Sequence, residues 1–277
     1  MVHVHSRRGA DTFLGFCARL MGIPAIVTRR VDNPEWGWWA RLKYGSYTKV
    51  VAISEGIRDV LLKEGVLAEH VVCVRSVIDI EKFRYARDRD WFGNEFNVHS
   101  DAPVIGVVAQ LINRKGHCFL LNIVNKLLVD FPTLRVFFFG KGPLFEEFEK
   151  RIESLELGHV VTLAGFRDDM AKVLPCLDLL VHPALSEGLG VSLIQAAASR
   201  VPIVASKVGG IPEIVVDGYN GVLVEPGDSE GLYKSIYRIL ESQSIRESMG
   251  ENGFNIVKQL FTMSSMIDSY KKLYNGL

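Results

Sequence analysis

The residues best placed to do chemistry lie in His182-Pro183-Ala184-Leu185-Ser186-Glu187-Gly188-Leu189-Gly190, which follows an apolar run ending at Val181 and leads into the Ala-rich stretch Val191 to Ala198. Glycines after a strand let backbone N–H groups approach an anion, and the start of a helix adds partial positive charge, so this turn suits a phosphate. Glu187 would stand at its mouth and Gln195 just over a turn inside the helix, where one ligand carrying a phosphate flanked by polyol reaches both. The plainer alternative is that Glu187 caps the helix and Gln195 is an ordinary polar helix residue. Three further loops weigh against it: Arg114-Lys115-Gly116-His117, Gly140-Lys141-Gly142 and Gly165-Phe166-Arg167-Asp168 each follow a strand-like run. In a doubly wound sheet the loops after the strands gather on one edge.

The elements that must position these loops are legible as an alternation of short β-branched runs with segments of helical period. Val2 to Val4, Ala25 to Thr28, Val50 to Ile53 and Val71 to Val74 read as strands, with a helix over Ala10 to Met21. Ser54 opens a capped helix through Ile57, Val60, Leu61 and Leu62 that closes before Gly65. Glu81 to Asp101 breaks the pattern with a run of mixed charges and reads as a boundary. From Val104 the alternation restarts, with strands expected at Val104 to Val108, Leu134 to Phe139, Val160 to Leu163, Leu177 to Val181, Ile203 to Ala205 and Gly221 to Val224. Those runs make a complete doubly wound sheet. The tail from Glu241 reads as two or three helices, the last starting near Thr262.

The expected division is 1–101, a partial N-terminal Rossmann-like domain with its linker; 102–250, a complete Rossmann-like domain; and 251–277, helices returning toward the first. Because parallel strands buried on both faces need neighbours, the small first half is expected to lack upstream sequence.

Composition excludes several classes. The 277 residues are 48% hydrophobic and 23% charged, which fits a chain able to bury two cores. Its 32 basic and 32 acidic residues cancel, so no global field draws it to nucleic acid. The four cysteines are widely spaced without a Cys-x-x-Cys pair, which argues against zinc and a disulfide framework and makes a reducing cytoplasm the expected setting. No apolar run approaches the ~20 residues of a membrane span.

Further motifs bring a resemblance. Val201-Pro202-Ile203-Val204-Ala205-Ser206-Lys207-Val208-Gly209-Gly210-Ile211-Pro212-Glu213, then Asp217-Gly218-Tyr219-Asn220-Gly221, resemble the Gly-Gly-x-Pro-Glu and Asp-Gly-x-x-Gly signatures of the GT-B glycosyltransferases of family 4, or glycosyl transferases group 1. Ile53 to Arg58 and Val77 to Phe83 resemble segments leading to that family's interdomain link. The resemblance covers about the whole chain and is densest from Val104 to Asp228.

It implies a GT-B-like α/β fold and retaining, metal-independent transfer of a sugar from a nucleotide-sugar donor to a saccharide or lipid-linked acceptor, with no cofactor. By the family's pattern Glu187 matches the first acid of a Glu-x7-Glu motif and holds donor-sugar hydroxyls. The amides of Gly188, Leu189 and Gly190 match the phosphate turn, Lys115 faces the diphosphate, and Gly165, Phe166 and Arg167 match a loop near the base. Fixed N–H dipoles and an ammonium would stabilise the charge that the leaving diphosphate gains.

The sequence departs from that pattern in three places. Gln195 replaces the second acid, used on the ribose, with a neutral amide. Gln110 stands where the family has an arginine, a role open to Arg114. Val27 to Arg30 lack the histidine found near the reacting sugar in many members, and no catalytic base is named; His3 and His5 read as packed or solvated.

Arg7, Arg8, Arg29 and Arg30 follow two strands of the first half and are candidates for a basic acceptor-side rim, suited to an anionic lipid-linked saccharide at the inner face of a membrane. The alternative pairs them with Asp11, Asp32 and Glu35. Trp36, Trp38 and Trp39 are candidates for sugar stacking or peripheral membrane contact. Two rivals stand beside the transferase: a nucleotide-sugar epimerase of the same architecture, and a non-catalytic nucleotide-sugar-binding fragment.

Overall fold

A computed structural model describes residues 1–5 and 9–276; the candidates Arg7 and Arg8 lie outside the described residues. The N-terminal part alternates β1 (Val2–Val4), α1 (Ala10–Leu20), β2 (Ala25–Arg29), α2 (Gly37–Tyr44), β3 (Lys49–Ala52), α3 (Glu55–Lys63) and β4 (Val71–Cys73). Its strands form a parallel sheet in the order β1-β2-β3-β4, with Val4 beside Val27 and Val27 beside Val50. Such strands are covered on both faces and therefore read as continuous apolar runs: all five residues of β2 are buried. Ser54 caps α3 by accepting from the Ile57 amide, as its type and place predict.

The stretch expected to be a bare boundary holds α4 (Arg89–Phe96). Asp88 caps it through the Trp91 amide, and Asn97 closes it in the left-handed region at φ 51°. Phe92 and Phe96 stack edge-on against Phe137, with centroids 5.5 and 5.1 Å away. Eight residues are too few for a helical period to show among so many charges.

The second sheet takes its strands from the rest of the alternation: β5 (Val104–Val108), α5 (His117–Leu121), α6 (Val124–Asp130), β6 (Arg135–Phe139), α7 (Phe145–Ser154), β7 (Val161–Gly165), α8 (Met170–Val173), β8 (Leu179–His182), α9 (Val191–Ala198), β9 (Ile203–Ser206) and β10 (Gly221–Val224). The strand order is β10-β9-β8-β5-β6-β7, all parallel. The chain thus runs outward from β5 to β7, returns to the other side of β5 as β8, and runs outward again. Between β5 and β8 the direction of progression reverses, and loops leaving their carboxyl ends diverge to opposite faces and leave a crevice.

Three helices close the chain: α10 (Ser229–Glu241), α11 (Gln243–Leu260) and α12 (Met263–Asn275). Thr262 caps α12 through the Ser265 amide. Leu273, Met266 and Tyr270 then pack on Ile26, Val51 and Val74, so the C-terminus lies on the first sheet. No helix among the described residues is long and apolar enough to cross a membrane.

Candidate active site

The crevice between β5 and β8 is where the charged residues meet. After β5 the chain makes a short 3-10 turn, Asn113–Lys115, ending at Gly116 with φ +68°. A side chain at Gly116 would run into the Pro183 carbonyl, so glycine lets this loop press against the loop that follows β8. The Leu185 amide donates to the Arg114 carbonyl at 2.8 Å and fixes the register of the two loops. Their side chains are then held together: Lys115 Nζ donates to Glu187 Oε2, and both residues are largely buried.

His182, the last residue of β8, completes the cluster with Nε2 at 2.9 Å from the same carboxylate oxygen. A carboxylate accepts, so Nε2 carries the proton. Burial is the main influence on His182 and lowers its pKa despite the carboxylate, which keeps the ring neutral. For Glu187 burial acts to raise the pKa, but the His182 hydrogen bond and the Lys115 charge outweigh it and hold the carboxyl down to about 2. Glu187 is therefore an anion with a neutral donor on one side and an ammonium on the other. Its Oε1 accepts from the Gly188 amide at 3.1 Å.

The glycine turn follows at once. Gly190 sits at φ +94° as the N-cap of α9, a conformation open to glycine at little cost. Leu193 and Ile194 are fully buried, each contributing about 1.5–3 kcal/mol, and anchor the first turn of α9 at the crevice. Behind it the Gly-Gly-Ile-Pro-Glu segment has a geometric reason. A Cβ on Gly209 would strike the Glu187 carbonyl, and one on Gly210 would lie 2.6 Å from the Gly188 carbonyl.

The first sheet reaches the same turn. Ser54 Oγ donates to the Gly188 carbonyl at 2.6 Å, turning that peptide so that its N–H side, on Leu189, faces away from Ser54. Glu213 accepts from the Gly56 amide at 3.2 Å and from Arg75 Nε at 2.8 Å. Arg114 approaches Asp32 at 3.8 Å. His182, Ser54 and Glu213 were not singled out for these contacts on sequence. A histidine at the end of a buried strand reads as packing, and no local signal pairs Ser54 with Gly188.

Other candidates are placed differently. Gln195 is half-buried on α9, and Gln110 is exposed. Phe166 is 67% exposed after β7, with Lys141 Nζ 5.8 Å from its ring, and is open to stacking. Arg167 is not a free donor: its guanidinium is held by Asp169 at 2.6 and 2.8 Å and by Glu95 at 2.6 Å, bracing α4. Arg29 corrects the acceptor-rim expectation. It is 4% exposed and ion-paired with Glu64, so it is an internal brace, while Arg30 is exposed. Arg29 is the last residue of β2 and Arg30 the first beyond it, where the chain leaves the buried sheet. His3 bonds Tyr274 at 2.7 Å and Thr28 at 2.8 Å, and is engaged in packing. A small hollow of about 80 Å³ lies beside His5, Asp11, Arg30 and Glu35 at the carboxyl end of the first sheet.

Two parallel α/β sheets meeting at a phosphate-type turn define a GT-B-like fold. Residues 89–256 match the family of glycosyl transferases group 1, and the chain belongs to it. It is 28% identical over 174 residues to a lipopolysaccharide core biosynthesis glycosyltransferase of Rhizobium meliloti, covering 63% of this chain and 50% of that one. It is 23% identical to the alpha-D-kanosaminyltransferase of Streptomyces kanamyceticus, over 100% of this chain and 77% of that one. The solved structure of Anabaena HepE in complex with UDP superposes with a TM-score of 0.91 at 21% identity, covering 100% of this chain and 79% of HepE. The chain spans about half the length of several relatives it matches, 50% in the Rhizobium case.

Proposed function

We propose that this chain transfers a glycosyl group from a nucleoside-diphosphate sugar to a saccharide or lipid-linked acceptor, with retention and without a metal ion or cofactor. The observation that carries the reading is the Lys115–Glu187–His182 cluster beside the Gly188–Gly190 turn, at the reversal point of the second sheet. The Leu189 and Gly190 amides and Lys115 stabilise the diphosphate as it takes up charge from the breaking glycosidic bond. Lys115 supplies a cation at the leaving group, the part a divalent metal otherwise plays. Glu187, fixed by His182, accepts from donor-sugar hydroxyls, and a fixed anion beside the reacting carbon favours the positive charge that develops there. Phe166 stacks on the base, and Gln195 meets the ribose. That a UDP complex of HepE shares this fold supports a nucleotide donor.

In this reading 102–250 binds donor and 1–101 presents acceptor, and within 251–277 it is α12 that returns to the first part, as the packing of Leu273 on Val51 supports. Arg30 faces the acceptor. Trp36 and Trp38, 76% and 65% exposed on and beside α2, support peripheral contact with the inner face of a membrane carrying a lipid-linked acceptor.

The test is a panel of nucleoside-diphosphate sugars, with and without candidate acceptors, in the presence of a chelator, reading the product's anomeric configuration by NMR. Transfer with retention is expected. Inversion, or dependence on added metal, would overturn that part of the reading. Donor binding with no transfer to any acceptor would favour a binding-only protein, and acceptor-independent conversion of the donor would favour an epimerase.

A further inference from the structure

The first sheet supplies one hydroxyl to the turn that carries the proposed phosphate amides. β3 ends at Ala52, and Ser54, the N-cap of α3, follows two residues later with no exposure to solvent. Backbone meets backbone at this place: a Cβ on Gly56 would lie 2.5 Å from the Gly209 carbonyl carbon, and one on Gly210 would lie 3.0 Å from Ser54 Cβ. These glycines let the Ser54 hydroxyl reach the Gly188 carbonyl, to which it donates at 2.6 Å.

Capping α3 does not account for that bond. The cap needs only an acceptor, and the Ile57 amide donates to Ser54 Oγ at 3.1 Å; aspartate, asparagine or glycine would serve the helix comparably. A serine hydroxyl has one proton to give besides its lone pairs, and here the proton goes to Gly188.

The peptide it holds is one that a glycine leaves free to rotate. Because C=O and N–H point opposite ways across a trans peptide, fixing the Gly188 carbonyl on the α3 side turns the Leu189 N–H away from α3. The preceding peptide is fixed in the same manner, with the Glu187 carbonyl accepting from the Gly210 amide at 3.3 Å and the Gly188 N–H used by Glu187 Oε1. Among the described residues the Leu189 and Gly190 amides have no acceptor. A Gly188–Leu189 peptide rotated the other way would offer a carbonyl oxygen to a phosphate and repel it.

We propose that Ser54 is a positioning residue for the donor: its hydroxyl, from the first sheet, holds the Gly188–Leu189 peptide with the Leu189 N–H toward the diphosphate. Phosphate recognition by 102–250 then depends on a side chain of 1–101 that touches no substrate itself. The proposal rests on the donor reading above. A neighbouring contact separates it from mere docking of the two parts, since Glu213 accepts from the Gly56 amide and from Arg75 without touching the Gly188–Leu189 peptide.

The probes are uridine diphosphate and guanosine diphosphate, titrated by calorimetry into the unaltered chain, Ser54→Ala, Ser54→Gly and Arg75→Ala. Ser54→Gly removes the hydroxyl but caps a helix nearly as well as serine. Both Ser54 variants should bind the preferred diphosphate about tenfold more weakly, the loss of one hydrogen bond to a charged group, while competition by the matching nucleoside, which lacks phosphates, is unchanged. Arg75→Ala should change diphosphate affinity less than twofold. In the unaltered chain labelled with 15N-leucine, the diphosphate should move the Leu189 amide proton downfield, a spectroscopic readout that needs no variant to fold, and the displacement should shrink in Ser54→Ala. Full diphosphate affinity in either Ser54 variant, an equal loss in Arg75→Ala, or a Leu189 amide that the bound diphosphate leaves unmoved would each overturn the role of Ser54 and leave the donor reading standing. Failure of the unaltered chain to bind either diphosphate would instead overturn the donor reading, and the proposal with it.

Discussion

Two of the buried ion pairs among the described residues differ in completeness. Arg29 and Glu64, in the N-terminal part, form a closed fork: Arg29 Nη2 meets Glu64 Oε1 at 2.9 Å, Nη1 meets Oε2, and two further N–H groups go to the Val31 and Asn33 carbonyls, so four of the five donors are used. The Glu35 amide donates to the same carboxylate at 2.6 Å. Lys115 and Glu187 are nearly as buried, yet among the described residues Lys115 Nζ has one acceptor for three N–H donors. Nearby, His182 Nδ1 and both ring nitrogens of His117 have no partner among the described residues. A pair whose donors are nearly all used fixes the chain, whereas a pair left with unused capacity at a crevice is open to a further partner.

The comparison is broken most directly by Glu64→Ala. It would strand the Arg29 guanidinium, 3% exposed in its side chain, and should cost about 3–5 kcal/mol, read by urea denaturation. Nucleoside diphosphate binding to the folded fraction should persist. A stability loss below about 1 kcal/mol would show that the closed pair holds little together.

At the open pair the order of effects reverses. Glu187→Gln keeps the shape, removes the charge, and should lower sugar transfer tenfold to a hundredfold, the value of about 1.5–3 kcal/mol for one charged hydrogen-bond partner. Free nucleoside diphosphate should bind as well or better, because Lys115 is released toward the phosphates. Lys115→Ala should lose affinity for that same ligand by a similar factor. If both variants lost diphosphate and sugar recognition alike, the division of roles between the two residues would be wrong.

His117 separates unused capacity from mere burial. Its ring is 1% exposed beside Phe138, and burial, then His182 and Lys115, push its pKa down to about 3. The unfolded chain takes a proton near the ordinary histidine value of about 6.5 while the folded chain resists it, so the unfolded state binds more protons between those limits. The stabilisation is complete above about pH 6.5 and is lost as pH falls toward 3. Glu187, held to about 2, adds a second loss in more acid solution, below the ordinary carboxyl range. His117→Phe should flatten the upper part of this acid limb and gain about 1–3 kcal/mol at neutral pH by removing two unpaired buried nitrogens. Weakened nucleotide binding in that variant would instead place His117 within the site.

How much of this was legible follows from how local each signal is. The edge that carries the proposed donor site could be read because Lys115, Glu187 and the glycines each follow their own strand within a few residues, and a parallel sheet sends all such loops to one edge. Strand positions came from unbroken apolar runs such as Val136–Phe139. Arg29 was misassigned because adjacent arginines look alike in sequence, and the partner that buries one of them, Glu64, lies beyond another strand. The stacking of Gly56 on Gly209 and of Gly209 on Glu187 joins segments far apart in the chain, and no periodicity records it. His182 carried a weak signal, a histidine shortly before an acid at a strand end, which becomes meaningful once the turn folds Glu187 back toward it.

The smallest expected effect concerns Gln195, which tests whether the open site extends along α9. It is half-buried and, among the described residues, its amide has no side-chain or backbone partner, so it resembles Lys115 in unused capacity without resembling it in charge. If it faces the ribose, Gln195→Glu exchanges a neutral acceptor for a charged one and should tighten nucleoside diphosphate binding by about 1 kcal/mol, roughly fivefold. Two opposing terms keep the gain small: partial desolvation of the new carboxylate, and its repulsion of the diphosphate and of Glu187. The partial positive charge at the start of α9 offsets some of that repulsion. Titration calorimetry against a nucleoside diphosphate and its 2′,3′-dideoxy counterpart isolates the contact, since the dideoxy ligand keeps the base and the phosphates and lacks the hydroxyls. A gain confined to the ribose form is expected. Equal affinities for both ligands before and after the substitution, in a protein that still folds, would leave Gln195 an ordinary helix residue and end the open site at Gly190.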